Sequence, residues 1–488
     1  MPGEVNVYPG PLHYAGDILS IEIVVHNPDR LPTDREPRLI LDGDRLLEAD
    51  PFYVGSPLRD PVLVFRWVWN TSGQAGLHQL TAEVPTSSGD SQTLTFHVEI
   101  LRASDRPEHE ARAEWQERTT ACCRIAYLSG TAAARDIDLI TQRVEDAVAA
   151  VEGRLGVRLN QPFPIILIDN VWGNGAYADD EIVISYVDRA YVSLDLDSVI
   201  RHEAVHYAAR AIGGEAPTLL VEGVAVYLAG GHYKPEPIPE RAAALLALEA
   251  YIPLADLADH FRDRQHEIAY LEAAGLIAYL VETYGWQEFL NLYALTGPDG
   301  SPSQWLDQAF KQVYGVGLAE IEQGYLAWLG QRDPGDQADD LRLTVALFET
   351  IRRYQALYAP YQEALPSLQE ARARGITAEF LREPASPENV ALETALIAAR
   401  LALEEGRFAA SEGLIDAVNT TLDDGDFTRH PIGDYLAVAS TLASSGYEAQ
   451  QIDLLGSQAV VLAIREWPNL ETVTLARTAN SWEILTAR

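Results

Sequence analysis

The first hundred residues alternate between apolar and polar positions in short runs, the pattern of strands that bury one face. Turn-rich stretches separate the runs, which cover residues 20–25, 38–41, 62–69 and 94–100. Short strands arranged in this way predict an all-β sandwich over residues 1–102. Trp67 and Trp69 share one face of the third run, where they are either core residues or a platform for a ligand; their period of two favours the core.

After this module the pattern changes to a mixture of strands and helices. Residues 124–128, 164–168 and 181–186 are predicted strands, and residues 137–155 have the 3.6-residue period of a helix. Beyond the last of these strands the pattern is mostly helical. The sequence therefore predicts a central α+β domain over residues 103–333.

The last part of the chain follows a break at Asp333-Pro334-Gly335-Asp336. Helical periods cover residues 341–358 and 389–405, and alternating runs then predict antiparallel strands at residues 452–455, 459–464, 473–477 and 481–484. We interpret residues 334–383 as a helical linker and residues 384–488 as an accessory α+β domain. Helices followed by such strands resemble the cone-shaped nuclear-transport-factor-like fold. The tail shows no catalytic constellation, so we expect it to serve binding or assembly.

Composition limits the function classes. The 488 residues include 47% apolar residues, enough for about two to four domains with substantial cores. No uncharged apolar run approaches the roughly 18 residues of a transmembrane helix, so we expect a soluble chain without a transmembrane segment. The formal net charge of -36 argues against nucleic acid and anionic membranes as partners, because both would be repelled.

The only two cysteines, Cys122 and Cys123, are adjacent. A bond between neighbours would be strained and would close no useful loop, so we predict no disulfide framework and two small residues at the start of a strand. The chain begins without a basic and then apolar stretch. It is therefore either intracellular or a version that lacks its leader or anchor.

The candidate chemistry lies at His202-Glu203-Ala204-Val205-His206. On a helix, positions i and i+4 share one face, so both imidazoles can bind a single ion, for which zinc (Zn²⁺) is the best candidate. Glu203 lies beside that face, where it can hold a water and accept its proton. Candidate N-caps at Asp195 and Asp197, together with glycines at positions 213 and 214, predict that the motif lies on a helix.

A catalytic zinc usually has three protein ligands and one open position. Glu222 is the best-placed third ligand, because a helix that opens at Pro217 can fold it back beside the motif. Glu215 and His232 are alternatives, but neither lies on a regular element that would direct its side chain. Ile212 occupies the position of the third histidine of a metzincin, which excludes that class.

These residues carry a family resemblance. The stretch from about residue 126 to 329 resembles the peptidase-MA-like gluzincin metallopeptidases, relatives of thermolysin-type enzymes, whose His-Glu-x-x-His and Glu-Gly-x-Ala-x-Tyr patterns recur from His202 and from Glu222. The resemblance implies that His202, His206 and Glu222 bind zinc and that Glu203 is the general base. Leu219 replaces a tryptophan that is frequent in such proteins, which suggests altered packing beside intact metal ligands.

The resemblance extends to the helical stretch from Tyr270 to Trp286, and to the predicted sheet of the central domain. A phenol near the metal could donate a hydrogen bond to the oxyanion of a tetrahedral intermediate, which makes Tyr270 a candidate catalytic residue. The alternative is that Tyr270 is a core residue, in which case His260 or His266 could donate that hydrogen bond instead. In gluzincins the strand before the motif helix is the sheet edge that binds substrate backbone, so residues 181–186 are expected to form that edge.

Two short phrases in the N-terminal module, Tyr14-Ala15-Gly16-Asp17 and His26-Asn27-Pro28, resemble bacterial cell-adhesion-related immunoglobulin-like domains. Such modules usually lie outside the cytoplasm. This resemblance favours an extracellular or cell-surface protein whose leader or anchor is absent from this chain, with a cytoplasmic location left open.

The sequence as a whole predicts a multidomain zinc metallopeptidase. An immunoglobulin-like β-sandwich precedes a thermolysin-like α+β gluzincin domain, and an accessory α+β domain follows. Peptides or proteins are the expected substrates, hydrolysed by a water that Glu203 activates. The alternative is a non-catalytic zinc-binding, scaffold or adhesion protein that keeps a gluzincin fold.

Overall fold

A computed structural model describes the chain in two compact units. The first comprises Met1–Trp115, Leu128–Gly130 and Gln362–Pro384, and the second comprises Gln116–Tyr127, Thr131–Tyr361 and Ala385–Arg488. The described residues are 2–8, 12–26, 37–43, 45–47, 49–56, 59–85, 91–158, 162–169, 175–178, 181–192, 195–210, 212–232, 234–295, 300–358, 372–373, 377, 380–381, 384–479 and 481–487. No helix in these ranges combines the length and apolar character needed to cross a bilayer.

The first unit contains two antiparallel sheets, which confirms the predicted N-terminal strands. In the part of the chain that is described, the sheet orders are β1-β2-β6-β5 and β4-β3-β7-β8. The strands are β1 Pro2–Tyr8, β2 Ile18–His26, β3 Arg38–Leu41, β4 Arg45–Leu47, β5 Ala49–Ser56, β6 Arg59–Asn70, β7 Gly76–Pro85 and β8 Ser91–Ile100.

One core joins the two sheets. Alternate residues of β2 and β6, among them Ile21 and Trp67, lie in the same buried cluster as Leu39 of β3 and Leu80 of β7. Trp67 and Trp69 are completely buried, so they are core residues rather than a ligand platform. The module is a two-sheet sandwich, and its immunoglobulin-like classification stays a prediction.

The second unit begins with a mixed sheet. In the described residues its order is β12-β13-β11-β10-β9, with β10, β11 and β13 parallel and β12 antiparallel to β13. The strands are β9 Trp115–Thr119, β10 Cys123–Leu128, β11 Phe163–Ile168, β12 Ala176–Ala178 and β13 Ile182–Ser185.

The position of β13 corrects one expectation. Residues 181–186 do form a strand before the motif helix, but that strand is not the sheet edge, because Ala176–Ala178 runs back along its outer side. The edge strand of the described sheet is therefore β12. A three-residue strand next to a turn leaves almost no periodicity in a sequence, which is why the pattern did not reveal it.

Helices form most of the remaining central region. The helix predicted at residues 137–155 is present with the same bounds, because its apolar residues recur on one face and Gly156 ends it in a left-handed conformation. The helices are α1 Glu108–Ala111, α2 Ala132–Arg135, α3 Ile137–Leu155, α4 Leu196–Ala209, α5 Thr218–Ala229, α6 Ile238–Ala247, α7 Leu254–Asp259, α8 His266–Tyr284, α9 Trp286–Tyr293, α10 Pro302–Tyr314 and α11 Leu318–Leu329.

The C-terminal part has helices followed by a sheet, as the sequence predicted. Its described strands pair in consecutive antiparallel order. The elements are α12 Gln337–Tyr358, α13 Pro387–Glu404, α14 Phe408–Asp424, α15 Ile432–Ser444, β14 Glu448–Leu455, β15 Gln458–Ile464, β16 Leu470–Arg477 and β17 Trp482–Ala487. Their classification as a nuclear-transport-factor-like fold stays a prediction.

Within the second unit, the segment between β13 and α4 is held by the C-terminal part. Tyr191 and Val192 belong to the same buried core as α12 and α13. The fully buried guanidinium of Arg189 forms ion pairs with Glu393 of α13 and, at 2.9 Å, with Glu448 of β14. The residues that lead into α4 are therefore fixed by a core to which the C-terminal elements contribute.

The cysteines correct a second expectation. The sulfur atoms of Cys122 and Cys123 form a disulfide between neighbours, in place of the two free thiols that we expected. The bond lies at the start of β10 and links no separate elements, so the prediction that no disulfide framework holds the fold together is unaffected.

Candidate metal centre

The motif residues lie on α4, which begins after Asp195 and buries most of one side. Ile200, Ala204 and Val205 of this helix are completely buried, and α4 packs against α3 and α5. His202 and His206 lie one helical turn apart and project from the same face, as their i, i+4 spacing predicts. The rigid packing of α4 fixes the direction of both imidazoles.

Glu222 comes from α5, which starts after Pro217 and ends at Gly230, where a left-handed φ of 83° closes the helix. The next residue, Gly223, lies where α5 crosses α8. A Cβ atom at Gly223 would lie 2.9 Å from the carbonyl oxygen of Ala273. Glycine therefore permits a close approach of the two helices directly beside the predicted ligand.

Three side-chain donor atoms converge at this point. The Nε2 atoms of His202 and His206 lie 3.0 Å apart, and Oε2 of Glu222 lies 3.5 Å from the first and 3.2 Å from the second. Atoms about 2.1 Å from a tetrahedral ion lie roughly 3.4 Å from one another, so this spacing fits zinc. Among the described residues, no other group of three or more His, Cys, Asp or Glu side chains converges in this way.

The chemistry of the donor set supports the same fit. Oε2 of Glu222 is buried, and the Nε2 atoms of two imidazoles face it. Burial acts to raise the pKa of Glu222, but hydrogen bonds and charge from His202 and His206 outweigh it and lower the pKa far below its usual range. For His206, burial acts to lower the pKa, and Glu222 reverses this effect so that the pKa rises. An anionic oxygen beside two nitrogen donors is a set that attracts a cation.

Glu203 lies on α4 between the histidines and is buried. Burial raises its pKa, while the two neighbouring histidines partly oppose that rise. A carboxylate with a raised pKa is a better proton acceptor near neutral pH than an exposed one. The environment of Glu203 therefore suits a general base.

Tyr270 projects from α8 beside the three donors. Its ring is 6.3 Å from that of His202 and contacts the rings of His232, at 4.4 Å, and His266, at 4.2 Å. Burial and the nearby charge of Glu222 raise the pKa of the phenol, so it keeps its proton at neutral pH and can donate a hydrogen bond. The structure brings Tyr270 to the candidate site, and its catalytic role stays a prediction.

The alternative residues take different positions. The half-buried ring of His232 lies 5.7 Å from that of His202, measured between ring centroids, and is outside the group of converging donors. Glu215 is exposed in the loop before α5. His260 is half-exposed and contacts Asp256, whereas the ring of His266 contacts those of Tyr270, at 4.2 Å, and His232, at 5.0 Å.

One contact near the site was missed in the sequence. Arg352 of α12 forms a 2.6 Å ion pair with the buried carboxylate of Glu267, which lies in the first turn of α8, before Tyr270. Neither residue was assigned a role from the sequence. Their pairing spans two elements far apart in the chain, and no local pattern reveals such a contact.

Residues 157–331 match the family model described as the Peptidase MA superfamily. This segment belongs to the Peptidase MA superfamily. The match includes α4, α5 and α8, and therefore all the residues that we predicted for the site. The gluzincin resemblance is confirmed at this level.

Solved structures similar to the chain include zinc peptidases. An M1 zinc metallopeptidase from Deinococcus radiodurans is 15% identical, with 66% of this chain and 92% of that chain covered and a TM-score of 0.29. A mutant of that enzyme is also 15% identical, with 65% of this chain and 91% of that chain covered and a TM-score of 0.30. An aminopeptidase N family protein from Idiomarina loihiensis is 11% identical, with 98% of this chain and 97% of that chain covered and a TM-score of 0.26. TM-scores this low add no weight to the Peptidase MA assignment.

A comparison with curated protein sequences gave no significant match. The Peptidase MA assignment therefore rests on residues 157–331 alone.

Proposed function

We propose that this protein is a zinc-dependent metallopeptidase that hydrolyses peptide bonds. The observation that carries the proposal is the convergence of Nε2 of His202 and Nε2 of His206, on the helix that also bears Glu203, with Oε2 of Glu222 from α5, all within 3.5 Å of one another. Membership of residues 157–331 in the Peptidase MA superfamily supports the reaction class.

His202, His206 and Glu222 would hold the zinc. When bound, the ion would supply a Lewis acid that lowers the pKa of a water molecule and polarises a carbonyl oxygen. Three protein ligands leave one position of a tetrahedral set for water or substrate, as catalytic zinc sites require.

Glu203 would move the proton. Its buried carboxylate accepts a proton from the attacking water and returns it to the nitrogen of the leaving amine. The neutral phenol of Tyr270 would donate a hydrogen bond to the oxygen that gains negative charge. Its ring is fixed by stacking on His232 and His266, so little reorganisation is needed at the moment of reaction.

The edge strand β12 would bind the substrate backbone. Its inner side pairs with β13, and it ends the described sheet on the side of α4, against which it packs. An extended peptide can add to such an edge through main-chain hydrogen bonds, which bind many sequences alike. Side-chain preference would then come from the walls of the cleft.

A non-catalytic scaffold that keeps the fold and the metal is the second candidate. A purely structural zinc is usually fully coordinated by four protein ligands. Only three donors converge among the described residues, and a buried carboxylate lies beside them. Both observations favour catalysis over a structural site.

The test is hydrolysis of a mixture of internally quenched peptides by the parent, Glu203→Gln and Glu215→Gln. We expect Glu203→Gln to retain zinc and to lose activity by about 10²–10⁴-fold, because it cannot accept the proton. Glu215→Gln is a matched change at an exposed position in the loop between α4 and α5, and this variant should cleave at the parent rate. Cleavage by Glu203→Gln at the parent rate would contradict the proposed mechanism.

A further inference from the structure

A pocket lies in the C-terminal part of the chain, well away in sequence from the metal ligands. It has a volume of about 300 Å³ and is lined by the start of α13, by α15 and by the paired ends of β14 and β15. This volume is at the small end of the range for ligand sites. We call it the α13–α15 pocket.

The floor of the α13–α15 pocket is apolar and buried. It is formed by aliphatic side chains that are each no more than 5% exposed, namely Val390, Ala439, Ala449 and Ile464. These side chains come from four different elements and leave the space open, because none of them is long enough to fill it. A ligand body that fits this floor is compact and apolar.

The rim of the pocket carries a positive charge. The exposed guanidinium of Arg465 lies over the ring of Tyr447, with 5.3 Å between its central carbon and the ring centroid, and Nη1 is 3.5 Å from the Tyr447 hydroxyl. In the described part of the chain, no carboxylate lies within 4.0 Å of this guanidinium. Stacking on an aromatic ring holds the planar cation in place and leaves its donors available.

One carboxylate also lines the pocket, and it already has a partner. Glu448 forms an ion pair at 2.9 Å with Arg189, a completely buried side chain whose single charge is shared with Glu393. Arg465 is therefore the cation at the pocket that no described carboxylate pairs with. A guanidinium binds a carboxylate through two parallel hydrogen bonds, which matches one anionic group at the rim.

We propose that the α13–α15 pocket is a binding site for a small carboxylate with a compact apolar body, about the size of one acylated leucine. The carboxylate pairs with Arg465, and the apolar body lies on the floor between α13 and α15. Such a group occurs both on free small acids and at the C-terminal residue of a peptide. The site is independent of the metal centre.

Calorimetric titration of the full chain with N-acetyl-leucine tests this proposal. We expect one binding site per chain, with affinity weakened about tenfold or more when N-acetyl-leucinamide replaces the acid, because the amide lacks the charge that Arg465 binds. Arg465→Gln should weaken binding of the acid to a similar extent. Arg407→Gln, which removes an exposed arginine paired with Glu405, is the matched control and should bind as the parent does.

A second variant tests whether the open space of the pocket is needed for binding. Ala443 is exposed on α15 at the rim, so Ala443→Leu is compatible with the helix and reduces the open space. It should weaken binding without lowering the melting temperature. The proposal is overturned if the parent does not bind the acid, or if both Arg465→Gln and Ala443→Leu bind it as tightly as the parent.

A longer ligand distinguishes between the two sources of the carboxylate, a free small acid and the C-terminus of a peptide. N-acetyl-trialanyl-leucine is titrated into the Glu203→Gln chain, so that hydrolysis does not interfere. Binding as tight as that of N-acetyl-leucine supports a site for peptide C-termini, whereas much weaker binding supports a site for free small acids. Either order of affinities supports the proposal only if Arg465→Gln weakens binding of the ligand that the chain binds more tightly.

Discussion

Gly223 and Ala273 lie so close together that a Cβ atom on the glycine would be 2.9 Å from the carbonyl oxygen of the alanine. This contact joins α5, which carries Glu222, to α8, which carries Tyr270. Helix backbones approach this closely only where one of them lacks a side chain. The glycine after the predicted ligand thus determines how near the third ligand and the phenol can be.

Gly223→Ala should separate α5 from α8, because neither the Ala273 backbone nor Ile277 can move without shifting a packed helix. We expect the free energy of unfolding to fall by about 1–3 kcal/mol, as for other overpacked contacts. Urea denaturation of the metal-free protein measures this change. Gly153→Ala in α3 is the control: it meets nothing within 4 Å, so it should stabilise by up to about 1 kcal/mol. Equal effects of the two changes would show that the close contact has no energetic consequence.

Tyr270→Phe should retain zinc and lower kcat by about 10²-fold, with a smaller change in KM, because the lost hydrogen bond acts on developing charge. Steady-state kinetics with a peptide that the parent cleaves would measure both parameters. Tyr251→Phe is a matched loss of a phenol whose hydroxyl bonds Glu322 instead. The catalytic role of Tyr270 is refuted by kcat values that agree between the parent and Tyr270→Phe.

Glu272 is completely buried on α8, where it accepts one hydrogen bond, at 2.9 Å, from the Ile252 amide. Burial raises its pKa well above the usual value, and the charge of Glu322 adds to this rise. The folded state therefore prefers the protonated carboxyl. Its contribution to stability is complete below the unfolded pKa of about 4.3 and is lost as the pH rises through the folded pKa.

Glu272→Gln should accordingly be more stable than the parent at pH 8 and should lose this advantage near pH 4. Urea denaturation at several pH values gives the difference in free energy of unfolding. Glu240→Gln, at an exposed position of α6, should change stability by no more than about 0.5 kcal/mol at any pH. A Glu272→Gln chain that is less stable than the parent at pH 8 would show that the ionised carboxylate is well accommodated.

Arg189→Met should destabilise the second unit by about 3–5 kcal/mol, because it leaves the buried carboxylate of Glu393 without its partner. Adding Glu393→Gln should recover a large part of this loss, since it removes the unpaired charge. Denaturant unfolding of the two single variants and the double variant gives the coupling energy. Additive effects of the two changes would mean that Arg189 and Glu393 do not interact.

The sequence could place the three candidate ligands on regular elements because the relevant information is local. The spacing of His202 and His206 places them on one helical face whatever surrounds the helix. Pro217 and Gly230 bound the next helix, so the side chain of Glu222 could be assigned to a regular element. The long amphipathic helices and the terminal strands were predictable for the same reason.

Contacts between distant elements were not predictable from one sequence. The edge strand β12 has three residues and too little periodicity to identify. The ion pair of Arg352 with Glu267, like that of Arg189 with Glu393, joins residues that look like ordinary charged positions until the helices pack. The cavity beside Arg465 arises from small residues of α13, α15 and β14, none of which has a distinctive sequence pattern.

The central claim is that His202, His206 and Glu222 bind one zinc ion, and the most direct test is zinc content per chain by mass spectrometry after identical dialysis. The parent and Glu215→Ala should each retain about one zinc, whereas Glu222→Ala should lose most of it, because two histidines alone bind zinc weakly. A parent chain without zinc even after reconstitution, or a Glu222→Ala chain that retains it fully, would contradict the account.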